Sequence, residues 1–163
     1  MRLEVDDHRR DIGGDEQRIV QMSARFSDIR FRHLLLPVWL LHYRWKGEVC
    51  QVVINGQSGT GKERVSPWAR AVLDSGAQDF RPDKAIGKFT DISKKFHTYG
   101  ILWTDKGFTW YLDGKAVHKL DRKEFVRPMS LTLTHRIEEQ ERPKLILKSL
   151  PDDIDIDWVK VWK

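Results

Sequence analysis

The sequence predicts an all-β protein, an antiparallel β-sandwich preceded by a mobile polar N-terminal arm. Short apolar runs alternate with polar residues and are separated by turns that contain Gly, Pro, Asp or Asn, a pattern typical of sandwiches. The strongest local signal is Asp113-Gly114 between two alternating segments, which predicts a tight β-hairpin turn.

The first half of the chain predicts an arm followed by one hairpin. Residues 1–25 are polar and form the arm, with a short helix predicted from Asp15 to Met22. Strands over 38–45 and 49–54 flank a turn at Lys46-Gly47. Because alternate strand residues share a face, one side of the first strand carries Trp39, Leu41, Tyr43 and Trp45.

The second half predicts a loop and then a regular series of strands. Residues 57–67 are interpreted as loop, Trp68–Leu73 as a helical turn or short strand, and 74–95 as a polar connection with one strand over 85–89. Further strands are predicted over 98–103, 108–112, 115–120, 129–135, 145–147 and 154–162. The predicted division is an arm (1–25), a hairpin segment (26–73) and a sandwich half (74–163).

Composition excludes some classes of protein and permits others. A net charge of +5 permits weak attraction to polyanions such as nucleic acid or sulfated polysaccharide, although the basic residues are scattered. The single cysteine, Cys50, excludes an intramolecular disulfide and a cysteine-cluster zinc site, and its apolar surroundings predict burial. Because no signal peptide or membrane-spanning run is recognisable, we predict a cytoplasmic protein that is not membrane-bound.

Three separated motifs in the second half resemble one enzyme family. Residues 96–115 read FHTYGILWTDKGFTWYLDGK, Pro128-Met129 opens a strand, and residues 155–162 read DIDWVKVW. In this order they resemble family-sixteen glycoside hydrolases, the laminarinases, lichenases and agarases, over about residues 85–163. The resemblance implies a jelly roll of two sheets with sugar in a groove on the concave sheet. It also implies that the groove face carries the candidate ligand-binding residues Ser130, Thr132 and Thr134.

The first half resembles a different group of proteins. Residues 9–19 (RRDIGGDEQRI) and a run that includes HLLLPVW and QVVINGQ within 33–57 are similar to the C-terminal segment of bacterial zinc-ribbon proteins labelled primosomal-helicase-like. The cysteine pairs of those proteins have no counterpart here. The chain thus resembles a junction of two fragments, residues 9–68 and 85–163, so the jelly roll is expected to be incomplete.

The acidic residues that a glycoside hydrolase requires are not recognisable. Retaining enzymes use two carboxylates about 5 Å apart, and the family supplies them from one strand as Glu-x-Asp-x-x-Glu. Residues 4–9 (EVDDHR) repeat only part of this motif, since Arg9 stands in place of the second Glu, and the acidic loop 138–141 is interpreted as solvated surface. We therefore predict no catalytic residues.

The glycine-rich segment, the histidines and two tryptophans are each interpreted as structural rather than as functional sites. Residues 56–63 (GQSGTGKE) match a phosphate-binding loop up to the lysine, but Glu63 replaces the required hydroxyl and Pro67 shortens the following helix; a glycine-rich hairpin loop is favoured. The six histidines lack metal-ligand spacing, so no metal or cofactor is predicted. Trp103 and Trp110 are expected to pack between the sheets.

Three functions remain open from the sequence. The first is a non-catalytic β-sandwich with weak carbohydrate binding. The second is a residual glycoside hydrolase acting on β-glucan-type polysaccharide, and the third is a basic interaction module that contacts nucleic acid or protein. A half jelly roll exposes sheet edges and an apolar face, which the hairpin at 38–54 or a second chain must cover, so a homodimer is also expected.

Overall fold

A computed structural model of the chain describes residues 18–26, 35–45, 48–57, 63–73, 75–80, 86–89, 95–123, 126, 129–137 and 154–162. The regular structure of these residues is almost entirely β. The strands are β1 (Arg18–Phe26), β2 (Leu35–Trp45), β3 (Glu48–Gln57), β4 (Glu63–Leu73), β5 (Gly76–Phe80), β6 (Ile86–Phe89), β7 (His97–Thr104), β8 (Gly107–Leu112), β9 (Lys115–Leu120), β10 (Ser130–Ile137) and β11 (Ile154–Trp162).

The strands form two antiparallel sheets. Sheet A has the order β11-β1-β7-β8-β9, and sheet B has the order β10-β2-β3-β4-β5, with β6 pairing with the first residues of β4. The predicted hairpin at 38–54 is confirmed, because β2 and β3 pair antiparallel with Trp45 opposite Glu48. The all-β sandwich that the sequence predicts is therefore the observed fold.

The core lies between the sheets and combines large residues with small ones. Sheet A contributes mostly aromatic and bulky aliphatic side chains, whereas sheet B contributes the small side chains of Cys50, Val52, Ala69 and Ala71. Small residues on one sheet leave room for rings from the other, so side chains of the two layers can interdigitate. The sheet A members are Met22, Ala24, Tyr99, Ile101, Trp103, Phe108, Trp110, Leu112 and Leu120.

The buried positions confirm three predictions about individual residues. Cys50 is fully buried, and both Trp103 and Trp110 lie in the core. The indole Nε1–H of Trp110 donates a hydrogen bond of 3.0 Å to the carbonyl oxygen of Val53 on β3. This bond joins the two sheets directly and satisfies a donor that burial would otherwise leave unpaired.

The hairpin between β8 and β9 is held by its own turn residue. Asp113 and Gly114 both have positive φ, +49° and +75°, which matches the turn that Asp-Gly favours. The Asp113 carboxylate accepts hydrogen bonds from His97 Nδ1 at 2.7 Å and from the backbone N–H of Thr98 at 2.9 Å. Asp113 also donates its backbone N–H to the Thr98 carbonyl at 2.8 Å, so one residue ties the turn to the start of β7.

The structure corrects the predicted polar arm. Residues 18–26 form β1, which pairs with β7 on one side and with β11 on the other. Residues 18–22 therefore belong to a strand rather than to the helix predicted from Asp15 to Met22. Polar composition suggested an arm, but ladders on both sides satisfy the strand's backbone groups. Residues 1–17 lie outside the described residues, and the three-segment division stays a prediction.

The structure also corrects the region from 57 to 95. β4 begins at Glu63, inside the predicted loop, and the polar connection contains two strands, β5 and β6, rather than one. Pro67 argued against a strand because it lacks a backbone N–H. β4 nevertheless accommodates Pro67, because β6 pairs with residues 63–65 of β4 and β5 pairs with residues 69–73. Among the described strands, Pro67 therefore faces a gap on that side. The predicted strand at 145–147 lies outside the described residues.

Candidate functional site

Sheet B has an outer face, which we define by strand register. Residues alternate between the two faces of a strand, and Cys50, Val52, Ala69 and Ala71 belong to the core-facing series. The outer face therefore comprises the other series of positions. These positions are 130, 132, 134 and 136 on β10, 36, 38, 40, 42 and 44 on β2, 49, 51, 53, 55 and 57 on β3, 64, 66, 68, 70 and 72 on β4, 77 and 79 on β5, and 88 on β6.

A row of polar residues crosses five strands of this outer face. Each member lies directly opposite the next in the ladder, in the order Ser130, His42, Gln51, Arg70 and Asp79. Cross-strand neighbours lie about 5 Å apart, so the row extends over roughly 20 Å. The register thus places a predicted ligand-binding position, 130, in line with polar residues from four other strands.

The two other predicted positions begin neighbouring rows. Thr132 leads through Leu40 and Val53 to Trp68, a row that ends at an aromatic residue. Thr134 begins a third row, in which Val38, Asn55 and Ser66 lie opposite one another in that order. Sequence reasoning assigned residues 63–67 to a loop because of Pro67 and the neighbouring glycines, and of its two alternatives for Trp68–Leu73 the short strand is the observed one. The alternation of residues 68–72 was the available signal.

Arg70 and Asp79 form a pair of opposite charges on the outer face. Arg70 Nε lies 3.6 Å from Asp79 Oδ1, and the two side chains are 48% and 55% exposed. This separation exceeds hydrogen-bonding distance, and an ion pair of this exposure contributes little to stability. The contact with Asp79 therefore does not use the guanidinium donors of Arg70 in a hydrogen bond. Gln51 and Trp68 are each partly buried on the same face.

Carboxylates are sparse in the described strands. They number five, and only Asp155 and Asp157 share a strand, which is β11 at the edge of sheet A. The outer series of the central strand β3 starts with Val49, Gln51 and Val53. The other three carboxylates are Glu48, Glu63 and Asp79. No described strand of sheet B thus carries two acidic residues. Residues 4–9 and 138–141 lie outside the described residues.

The glycine-rich segment connects a hairpin, as predicted. β3 and β4 pair antiparallel with Gln57 opposite Arg64, so residues 58–62 join two neighbouring strands. A phosphate-binding loop instead joins a strand to a helix whose N-terminus holds the anion. Glu63 is the first residue of β4, which leaves no helix at this position.

His97 and His118 each contact residues of the sandwich. His97 is buried against Asp113, while the His118 ring lies 5.7 Å from Phe80 and 5.4 Å from Trp110 between ring centroids. Burial lowers the pKa of His118 from its ordinary value of 6.5. Within the described ranges, no group of three or more His, Cys, Asp or Glu side chains could hold a metal ion. The same ranges contain no helix long and apolar enough to cross a membrane.

Comparisons with known proteins connect this geometry to a family. The family described as Glycosyl hydrolases family 16 matches residues 65–140. The kappa-carrageenase of Pseudoalteromonas carrageenovora is 30% identical over 82 residues, which represent 44% of this chain and 21% of that protein. The match thus spans about a fifth of this relative.

Solved structures resemble the whole sandwich. A kappa-carrageenase from Zobellia galactanivorans has a TM-score of 0.65 at 20% identity, covering 89% of this chain and 66% of the other. The laminarinase catalytic domain from Thermotoga maritima has a TM-score of 0.60 at 18% identity, covering 89% and 63%. The chain spans about two thirds of these structures. It therefore has the jelly-roll β-sandwich fold of family 16 glycoside hydrolases, and its C-terminal half carries the sequence resemblance to them.

Proposed function

We propose that this protein is a non-catalytic β-sandwich, related to family 16 glycoside hydrolases, that binds polysaccharide on the outer face of sheet B. The composition of β3 carries the proposal. This central strand has Val49, Gln51 and Val53 in its outer series, none of which can act as nucleophile or general acid. A retaining glycosidase requires two carboxyl groups about 5 Å apart.

The outer face retains features that favour sugar binding. Sugars are recognised by hydrogen bonds to hydroxyl groups and by aromatic rings that stack on the sugar face. Gln51 and Arg70 supply hydrogen-bonding groups, and Trp68 supplies a partly buried indole. Ser130, Thr132 and Thr134 complete the site in this proposal, because their register positions lead into the rows that contain these residues.

The names of similar proteins support a polysaccharide ligand. One similar structure, at a TM-score of 0.61 and 17% identity, is the kappa-carrageenase of Pseudoalteromonas carrageenovora in complex with an oligotetrasaccharide of kappa-carrageenan. Other similar structures are laminarinases and a lichenase. These names define the panel of polysaccharides that tests the proposal.

Binding is measured by affinity gel electrophoresis in kappa-carrageenan, laminarin and lichenan. We expect at least one polysaccharide to retard the protein, and we expect Trp68→Ala to weaken this binding about tenfold through loss of stacking. Thr109→Ala is the control, since Thr109 is partly exposed on sheet A. Retardation that survives Trp68→Ala, or that Thr109→Ala removes equally, would contradict the assignment of the site.

A second assay separates binding from catalysis. Each polysaccharide is incubated with the protein, and new reducing ends are quantified. The proposal requires that none form above the blank. Release of reducing ends that disappears in Glu4→Gln would instead establish the residual glycoside hydrolase that the sequence left open, and the non-catalytic proposal would be wrong.

A further inference from the structure

Strand β11 forms one edge of sheet A. Among the strands that the structure describes, β11 pairs only with β1, and the order of the sheet ends at this position. An edge strand presents backbone N–H and C=O groups to a further strand, and proteins usually protect long apolar edges from such pairing. With nine residues, β11 is long enough to serve as a template for another strand.

Exposed apolar side chains are concentrated on this strand. The described residues include four large apolar side chains that are exposed, and three of the four belong to β11. They are Ile156, Val161 and Trp162, with exposed fractions of 40%, 54% and 41%. Contact between these groups and water is unfavourable, so their burial against an apolar partner favours association.

The last five described residues of β11 form a palindrome. They read WVKVW, with Lys160 at the centre. In an antiparallel pair of such segments with a two-fold axis at Lys160, Trp158 lies opposite Trp162 of the second copy, and Val159 lies opposite Val161. Opposite residues also share a face, because the register with β1 places both tryptophans on the outer face while Val159 packs against the core. Aromatic and β-branched cross-strand pairs of this kind stabilise a sheet.

Lys160 lies on the two-fold axis of this arrangement, opposite its own copy. Like charges at opposite positions destabilise a sheet. However, Lys160 Nζ lies 4.9 Å from the centroid of the Trp158 ring, and Trp158 precedes it by two residues, about 7 Å along the strand. Two-fold symmetry reverses this direction in the second copy. The two ammonium groups therefore lean apart, and each is stabilised by an aromatic ring.

The start of β11 favours an antiparallel arrangement that ends after the palindrome. Asp157 has no opposite residue in β1, because the register shifts there, and it forms a bulge. Bulges and charged residues prevent pairing along an edge, and Asp155 and Asp157 are both exposed. A parallel pair would bring the carboxylates of two copies face to face. The antiparallel pair separates them and directs each acidic end toward the half of the other strand that carries Lys160.

We propose that two copies of this chain associate through β11, with residues 158–162 of each copy paired antiparallel about Lys160. The pairing joins two five-stranded sheets A into one continuous sheet. A second copy is favoured over an unrelated strand because each residue of the palindrome finds its match in an identical segment. The interface is closed by symmetry and small, so the dimer is weak and dissociates on dilution. This inference does not depend on polysaccharide binding.

A disulfide tests the register of the pairing. Lys160→Cys places two thiols opposite each other across the axis, where cross-strand Cβ atoms lie about 5 Å apart, close to the separation that a disulfide needs. The matched control is Lys119→Cys, which replaces an exposed lysine on β9, the opposite edge of sheet A. The native thiol of Cys50 is buried. After oxidation with diamide, we expect a covalent dimer from Lys160→Cys and none from Lys119→Cys.

A charge on the edge tests the association itself. Sedimentation equilibrium of the wild-type protein at several concentrations should show a monomer and a dimer. Val161→Lys places an ammonium opposite Val159 of the second copy and should raise the dissociation constant about tenfold or more. Because Val161 is more than half exposed, the melting temperature of the diluted variant should equal that of the wild-type monomer. Ala116→Lys, at an exposed position of β9, should dimerise like the wild type.

Four results would overturn the inference. A wild-type protein that remains monomeric at every concentration would exclude the dimer. Assembly into species larger than a dimer would contradict a closed two-fold interface. Equal cross-linking of Lys119→Cys and Lys160→Cys would show that the thiols meet by random collision. Wild-type dimerisation of Val161→Lys would place the interface elsewhere on the molecule.

Discussion

The hydrogen bond between Trp110 and Val53 gives the most direct test of how the two sheets are held together. Trp110→Phe keeps an aromatic ring but removes the indole N–H that donates to the Val53 carbonyl at 3.0 Å. The side chain is fully buried, so loss of this hydrogen bond costs about 1 kcal/mol. The smaller ring loses about 1 kcal/mol of transfer free energy and leaves roughly 40 Å³ of space, which costs about 1 kcal/mol more. The free energy of unfolding should fall by about 3 kcal/mol.

The free energy of unfolding is measured by urea denaturation followed by circular dichroism. A loss of this size also corresponds to a decrease of about 10 °C in melting temperature for a chain of this length. Trp158→Phe is the matched control, because Trp158 is only partly buried on the edge strand β11, with Lys160 Nζ 4.9 Å from its ring centroid. We expect the control to lose less than about 1 kcal/mol. Equal losses in both variants would refute the argument that the inter-sheet hydrogen bond and buried packing are responsible.

Two further predictions concern the described ionisable residues. Asp113→Ala should lower the free energy of unfolding by about 2–3 kcal/mol, because it removes the hydrogen bonds to His97 and Thr98 and places Ala at φ +49°. Asp113→Asn keeps an acceptor and tolerates positive φ, so urea denaturation should show less than half this loss. His118→Phe should flatten the pH dependence of stability between pH 7 and 5. Since burial lowers the pKa of His118 in the folded state, the unfolded chain binds the proton more readily. Wild-type stability should therefore fall as pH drops below about 6.5, and melting curves at several pH values check this.

Each of these predictions has a result that contradicts it. Equal destabilisation by Asp113→Ala and Asp113→Asn would mean that charge, rather than turn geometry and hydrogen bonding, dominates at this position. For His118, an unchanged pH profile in the Phe variant would show that other groups produce the acid sensitivity. Phe preserves the aromatic contacts with Phe80 and Trp110, so a large general loss of stability is not expected.

The proposed function assigns sugar binding without catalysis to the outer face of sheet B, on a fold shared with hydrolases. The sandwich itself depends on the inward series of residues, such as Val52 and Ala69. Exposed residues of the outward series, such as Arg70 and Asp79, can change without disturbing the core, since alternate residues of a strand face opposite sides. Val53 of that series is itself fully buried. Val and Gln at the outer positions of β3 cannot themselves act as an acid or a base, and this observation underlies the proposed binding function.

The local sequence pattern was sufficient to predict strand pairing where the paired segments are neighbours in the chain. The strand pairs on either side of Asp113-Gly114 and of Lys46-Gly47 were predictable, since a hairpin depends on turn chemistry and on alternation within about twenty residues. Burial of Cys50 was predicted from its apolar surroundings, and packing of Trp103 and Trp110 between the sheets was also expected; all three are buried. The candidate residues Ser130, Thr132 and Thr134 were assigned to a face by resemblance, and their ligand-binding role stays a prediction.

The sequence by itself determined the all-β class, the hairpins and the composition of each strand face, because these depend on interactions between near neighbours in the chain. Only the tertiary structure decided that residues 18–26 form a strand between β7 and β11, and that β6 lies beside the start of β4. Such pairings join segments up to about 140 residues apart, and their free energy comes from ladders and burial that no local pattern encodes.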